Sequence, residues 1–273
     1  MKIWLQLVAS PGRLPRFIQE AQAQCDRAAN PGTTVKVSGT SHGALGDQHA
    51  AYLHCDAHDI LQLMHRNVMD QGYDVYVMGN SLDPALPALR ELLDIPVLSA
   101  LQVACSLATM LGDRIGIVST NPKFGMAYRR LVEGYGFGAK LAGIGGLMVT
   151  RPADLDASFD DKEEAAKIIR AVEDASRGPL DAGADVLIVP GPIGTILAHR
   201  GVTHILGAPV IDLYPSLVKT AEAMGHLAQH CGMRTSRLGV YQSPSPESRR
   251  EAARLYGFGP VSQTPALATA AAA

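Results

Sequence analysis

Apolar runs in this chain end repeatedly in clusters of small and polar residues, and any chemistry is expected at those clusters. Ser10-Pro11-Gly12 closes the first run and Gly39-Thr40-Ser41-His42-Gly43 the second. Gly79-Asn80-Ser81, Ser119-Thr120-Asn121 and Pro190-Gly191-Pro192-Ile193-Gly194-Thr195 close three more. Small residues let backbone N–H groups approach a ligand closely, and helices that start there aim the positive ends of their dipoles inward. Taken one at a time, each is an ordinary strand-to-helix turn with an N-cap. Taken as a set, Ser10, Pro11, Gly79, Asn80, Ser81, Ser119, Thr120, Asn121, Pro190, Gly191 and Pro192 are the expected lining of one small-anion pocket, suited to a carboxylate or a similar delocalised group.

Proton transfer at such a pocket needs a titratable side chain on the same rim. His42 lies in a Gly/Ser turn after the second apolar run, and an imidazole suits acid–base work near neutral pH. Asp212 and Tyr214 follow the last run, where a carboxylate or phenol reaches the same rim; Asp212-Leu213-Tyr214-Pro215-Ser216 reads equally well as a helix cap. His199 falls one or two turns into a helix and is expected to face away. His54 and His58 share a helix face at a spacing two metal ligands can use, with His65 further along. No Cys or acidic partner recurs at a second ligand spacing, so the expectation is a polar helix face and no metal.

The elements that position these residues alternate regularly. Strands are expected over 2–9, 33–39, 74–79, 96–101, 114–120, 140–147, 185–190 and 208–213, with amphipathic helices over 46–71, 84–93, 122–135, 161–181 and 215–231. Near-continuous apolar strands separated by helices predict an α/β fold with parallel sheets covered on both faces and ligands at the carboxyl ends of the strands. The similar turns at 79 and 191 suggest an internal duplication. The expectation is two pseudo-symmetric lobes, each a mostly parallel sheet flanked by helices, with the site in the cleft between them. Residues 1–98 plus 214–260 form the first lobe, 99–213 the second, and 261–273 a frayed tail.

Composition sets limits on partners. The 273 residues are 47% hydrophobic and 18% charged, which excludes wholesale disorder. Lys plus Arg total 24 against 26 Asp plus Glu, a net charge of −2, so no basic excess marks a nucleic-acid binder. The apolar runs fall well short of the roughly 20 residues a membrane span needs. Cys25, Cys55, Cys105 and Cys231 lie far apart without CxxC pairing, which suits a reducing cytoplasm. A small-molecule substrate and a homo-oligomer are expected.

Over residues 2–245 the strand–turn motifs in register resemble the aspartate/glutamate/hydantoin racemase superfamily. Gly232-Met233-Arg234-Thr235-Ser236 with Arg237-Leu238-Gly239-Val240-Tyr241 is similar to the closing motif of the hydantoin and allantoin racemase branch. Arg130-Leu131-Val132-Glu133-Gly134-Tyr135-Gly136 resembles a feature of the same branch. The resemblance implies cofactor-free chemistry at a carbon beside a carboxylate or carbonyl, with one cysteine per lobe moving a proton on each face. The matching positions here are Gly79, in a turn reading Gly79-Asn80-Ser81, and Gly191; the former also resembles the turn of arylmalonate decarboxylases. With both thiols replaced by glycine, one-sided chemistry through an enolate or related oxyanion is expected: isomerisation, decarboxylation, elimination or ring hydrolysis. A racemase using other bases such as His42, and a non-catalytic small-molecule binding protein, are the alternatives.

Overall fold

The computed structural model describes residues 1–43, 49–149 and 151–258; the tail expected over 261–273 lies outside the described residues. Strands β1 (Lys2–Gln6), β2 (Thr34–Ser38), β3 (Val75–Met78) and β4 (Val97–Ser99) make one parallel sheet in the order β2-β1-β3-β4. Strands β5 (Ile115–Ser119), β6 (Leu141–Gly146) and β7 (Val186–Ile188) make a second, also parallel, in the order β6-β5-β7. Val210 adds a parallel bridge to Leu187 at the open edge beside β7. The second sheet therefore repeats the first strand for strand, with Val210 in the place of β4. That repetition is the two-lobe α/β architecture.

The strands form where the sequence is apolar on both faces: all four residues of β3 and all five of β5 are buried. Such strands hold together only under helices, and β-branched side chains fit the pleat. Helices α1 (Pro15–Ala28), α2 (Ala50–Asn67), α3 (Leu86–Leu92), α4 (Ala100–Leu111), α5 (Pro122–Gly134) and α6 (Lys162–Asp181) supply part of the cover, followed by α7 (Gly191–His199), α8 (Leu213–His230) and α9 (Pro246–Tyr256). Trp4, Tyr76 and Met78 on one face of the first sheet meet Ile60 and Met64 of α2 and Leu89 of α3. The other face belongs to a continuous apolar cluster that runs on through Ile117 and Ile188 of the second sheet. Local signals set several helix starts. Ser99, Asn121, Asp161 and Ser245 accept backbone N–H bonds at the N-termini of α4, α5, α6 and α9.

The last expected strand, 208–213, is different. Ala208–Pro209 is β9, a two-residue strand antiparallel to β8 (His204–Ile205), and Leu206 and Gly207 turn between them at φ +49° and +89°. Two successive left-handed residues make a tight hairpin turn, which consumes the start of the run. Cys231, expected within a helix, sits just past the end of α8.

The closing motif has a structural job. Arg237 donates through Nη1 to the carbonyls of Arg90 (2.7 Å), Glu91 (3.1 Å) and Tyr241 (3.2 Å), and through Nη2 to Leu93 O and to Asp94 Oδ1 at 2.7 Å. One guanidinium thus satisfies the last carbonyls of α3, which a helix end leaves without partners. Arg237→Ala is expected to cost about 2 kcal/mol, a loss of roughly 4–8 °C in Tm by calorimetry. An unchanged Tm would show that the strap is held by other contacts.

Candidate active site

The carboxyl ends of both sheets converge on a cavity of about 40 Å³. Leu7, Val8 and Ala9 after β1, Phe17 of α1, and Gly79, Asn80, Ser81 and Leu82 after β3 form one wall. Thr120 after β5, Phe124 and Tyr128 of α5, and Pro190, Gly191 and Pro192 after β7 form the other. The structure therefore brings Gly79, Asn80, Ser81, Thr120, Pro190, Gly191 and Pro192 together from separate parts of the chain. A cavity of this size holds a few waters, whereas pockets that enclose small ligands run from about 300 Å³ upward. A ligand larger than a few waters fits only if these walls part.

α7 starts at Gly191 with Pro190 in the N-cap position, and no side chain caps it, unlike α4, α5 and α6. Its first amides and its dipole are therefore available to an anion in the cavity. Asn80 shapes the opposite turn by accepting the Leu82 N–H at 2.9 Å. Thr120 contributes a hydroxyl.

Other expected residues lie outside the lining. Ser10 is buried, and its carbonyl accepts the N–H groups of Arg13 and Leu14; Pro11 is exposed. Ser119 Oγ donates to Asn121 O at 2.7 Å, and Asn121 Oδ1 caps α5 through Phe124 N at 3.0 Å, so both build the turn beneath Thr120. His42 is exposed. Asp212 is exposed and holds the N-cap position of α8 without a side-chain bond. Tyr214 is buried behind the wall, its ring 6.4 Å from that of Phe17. His199 faces away, as expected: Nδ1 lies 3.0 Å from Glu20 and Nε2 3.1 Å from Phe159 O. His58 and His65 lie against the ring of Phe258, and no group of three or more metal-ligating side chains converges among the described residues.

Among the described residues that line the cavity there is no cysteine. Cys25 and Cys105 are buried in helices, where burial pushes each thiol up to about 12; Cys55 and Cys231 are exposed. Among the described lining residues, Tyr128 carries the phenol, beside the hydroxyls of Ser81 and Thr120. Sequence reasoning missed it, although Phe124 and Tyr128 sit four apart after the Asn121 cap and so share one helix face.

The two glycines in the turns are not equivalent. A Cβ at Gly79 would lie 2.7 Å from Leu5 Cδ2, 2.9 Å from Leu7 Cδ2 and 3.2 Å from Gln6 O, so a side chain there meets the core of the first sheet. A Cβ at Gly191 would meet nothing within 4 Å, but its φ is +66°. Gly79→Cys is expected to lose about 1–3 kcal/mol by overpacking. Gly191→Cys should lose about 1–2 kcal/mol to the left-handed backbone and place its thiol at a helix N-terminus. There it should titrate below the roughly 8.5 of a free cysteine. Alkylation against pH, in a background lacking Cys55 and Cys231, checks this; a thiol titrating at or above that value would show that the amides of α7 do not face it.

Paired parallel sheets under helices, with a cavity where their strand ends meet, define an α/β enzyme fold. The chain belongs to the Asp/Glu/Hydantoin racemase family, whose match spans residues 16–221, and is a racemase-superfamily enzyme of isomerase type. It is 28% identical over 190 residues to a hydantoin racemase of Pseudomonas sp. (strain NS671), covering 70% of this chain and 71% of that one. It is 25% identical over 244 residues to a hydantoin racemase of Paenarthrobacter aurescens, covering 88% and 97%. The fold is similar to the crystal structure of an allantoin racemase from Pseudomonas fluorescens, with a TM-score of 0.74, 21% identity, and 90% and 98% of the two chains covered.

Proposed function

We propose that this enzyme acts without a cofactor on a small carboxylate or cyclic ureide, at a carbon beside a carbonyl, by one-sided proton transfer. The observation that carries the reading is the cavity lining: small-residue turns from both lobes, the hydroxyls of Ser81 and Thr120, one phenol, and no thiol, imidazole or carboxylate among the described residues. The amides at the start of α7 and that of Ser81 hold the substrate's carboxylate or carbonyl oxygen. As the α-carbon loses its proton or a carboxyl group, negative charge moves onto that oxygen, and fixed donors in a small enclosed space stabilise it strongly. Thr120 adds a hydroxyl donor. Tyr128 removes or returns the proton on one face. The facing wall presents Gly79, which has no side chain to transfer a proton. Two-sided racemisation needs an acid and a base on opposing faces, so retention of configuration is the expected outcome.

The experiment is incubation with single-enantiomer 5-substituted hydantoins and with aryl-substituted malonates in deuterated water. Deuterium entering hydantoin with retention, or decarboxylation giving one enantiomer of product, supports the reading. Inversion at an ordinary enzymatic rate overturns it and leaves a racemase with other bases. Tight binding of these compounds with neither exchange nor turnover overturns it in favour of a small-molecule binding protein.

A further inference from the structure

We propose that Asp83 is a positioning residue that ties the two walls of the cavity together through hydrogen bonds from Ser99 and Tyr135. Asp83 ends the turn whose preceding four residues, 79–82, all line the cavity, and its own N–H bonds to Asn80 O at 3.0 Å. Its Oδ2 accepts the Ser99 hydroxyl at 2.6 Å and the Tyr135 hydroxyl at 2.6 Å. Ser99 belongs to the first sheet. Tyr135 ends α5, the helix that carries Phe124 and Tyr128 into the opposite wall. One carboxylate oxygen therefore fixes the end of one wall against the end of the other. This inference rests on reading the cavity as the substrate site.

The geometry is that of an ionised acceptor. O–H donors to a carboxylate come to about 2.5–2.7 Å, shorter than bonds between neutral groups, and both bonds fall there. Asp83 is buried, its φ is +52°, and its Oδ1 has no hydrogen-bond partner. A strained, half-satisfied buried acid costs stability and persists where the surrounding structure holds it in place. The groups facing it are Ser99 of β4, Tyr135 after α5, Arg90 of α3 and Cys105 of α4. Burial pushes the carboxyl up to about 6, against the pull of Ser99, Tyr135 and Arg90. Above that pH the tie is a charge-assisted, two-donor bond; below it the acceptor is neutral and the tie weakens. Because the cavity is too small for a ligand as it stands, loosening the tie alters how readily the walls part.

Tyr135→Phe removes the hydroxyl that crosses between the walls. Amide hydrogen exchange, corrected for intrinsic rates, should speed up about tenfold or more over 79–83 and 120–128 in this variant at pH 7.5. The two proteins should converge at pH 5, while β7 keeps wild-type protection. With 5-substituted hydantoin, KM should rise more than kcat falls, and the pH dependence of KM near 6 should vanish. If wild type does not turn over hydantoin, the proposed function fails but the exchange result still decides the tie. If Tyr135→Phe does not fold, exchange in wild type should step at both segments together near pH 6. Exchange unchanged within about twofold, raised equally at both pH values, or raised evenly along the chain overturns the proposal and leaves a bond that serves stability alone.

Discussion

Tyr128→Phe is expected to slow turnover by about 10²–10⁴-fold, the usual contribution of a positioned acid or base, while shifting Tm by no more than about 2 °C. The ring is buried in the wall, and phenylalanine keeps its packing while deleting the hydroxyl. Substrate binding should change little, because the proposed anion contacts come from the amides of Ser81 and the start of α7. The loss should therefore appear in kcat, and deuterium exchange at the substrate carbon should fall with it. Exchange that persists at the wild-type rate would move the proton-handling group elsewhere and sink the role given to Tyr128. His42→Ala, by contrast, removes an exposed side chain outside the lining and should leave kcat within about twofold.

The second large effect concerns stability and pH. The folded protein holds Asp83 at about 6 against an ordinary value of 3.8, mainly because burial disfavours its charge. A carboxyl raised on folding contributes stability that is full below about 4 and is lost as pH rises through about 6. At 1.36 kcal/mol per unit, the loss is of order 3 kcal/mol. Asp83→Asn has no such charge, so the difference in urea midpoint between variant and wild type should change over pH 4–6 and level off above 7. In acid the wild type should be the more stable; at neutral pH the gap should narrow or reverse, since the amide leaves a buried donor without a partner at about 1–3 kcal/mol. A difference that stays constant from pH 4 to 7.5 would mean that Asp83 titrates in its ordinary range. Taking the difference cancels the exposed carboxylates Asp160 and Asp185, whose folded values are lowered and whose contributions run in the opposite direction.

Much of the architecture was legible in local patterns. The apolar runs at 75–78, 115–119 and 186–188 and the caps at Asn121 and Asp161 state element type and start directly. Expectation and structure part at 208–213, where a short hairpin competed with an apolar pattern and won, and at 100–101, where helix α4 has already begun. The site was legible as turns but not as side chains. Of the turns expected to meet, those at 79–81, 120 and 190–192 do. Which residue within each turn faces the cavity depends on the pleat at the strand end, and Ser119 and Asn121 are spent on the turn itself.

Residue types and their spacing by themselves determined the alternating elements, the glycine and proline turns at the strand ends, and the absence of cysteine from those turns. These follow from backbone sterics and side-chain volume, which act over a few residues. Only the tertiary structure decided that Tyr128 enters the cavity, that Tyr214 packs behind Phe17, that a side chain at 79 would meet Leu5 and Leu7, and that Asp83 joins Ser99 and Tyr135. Each of those depends on the angle at which helices cross sheets and on which strands lie side by side. That angle is set by packing between segments far apart in the chain, and a local pattern carries no record of it.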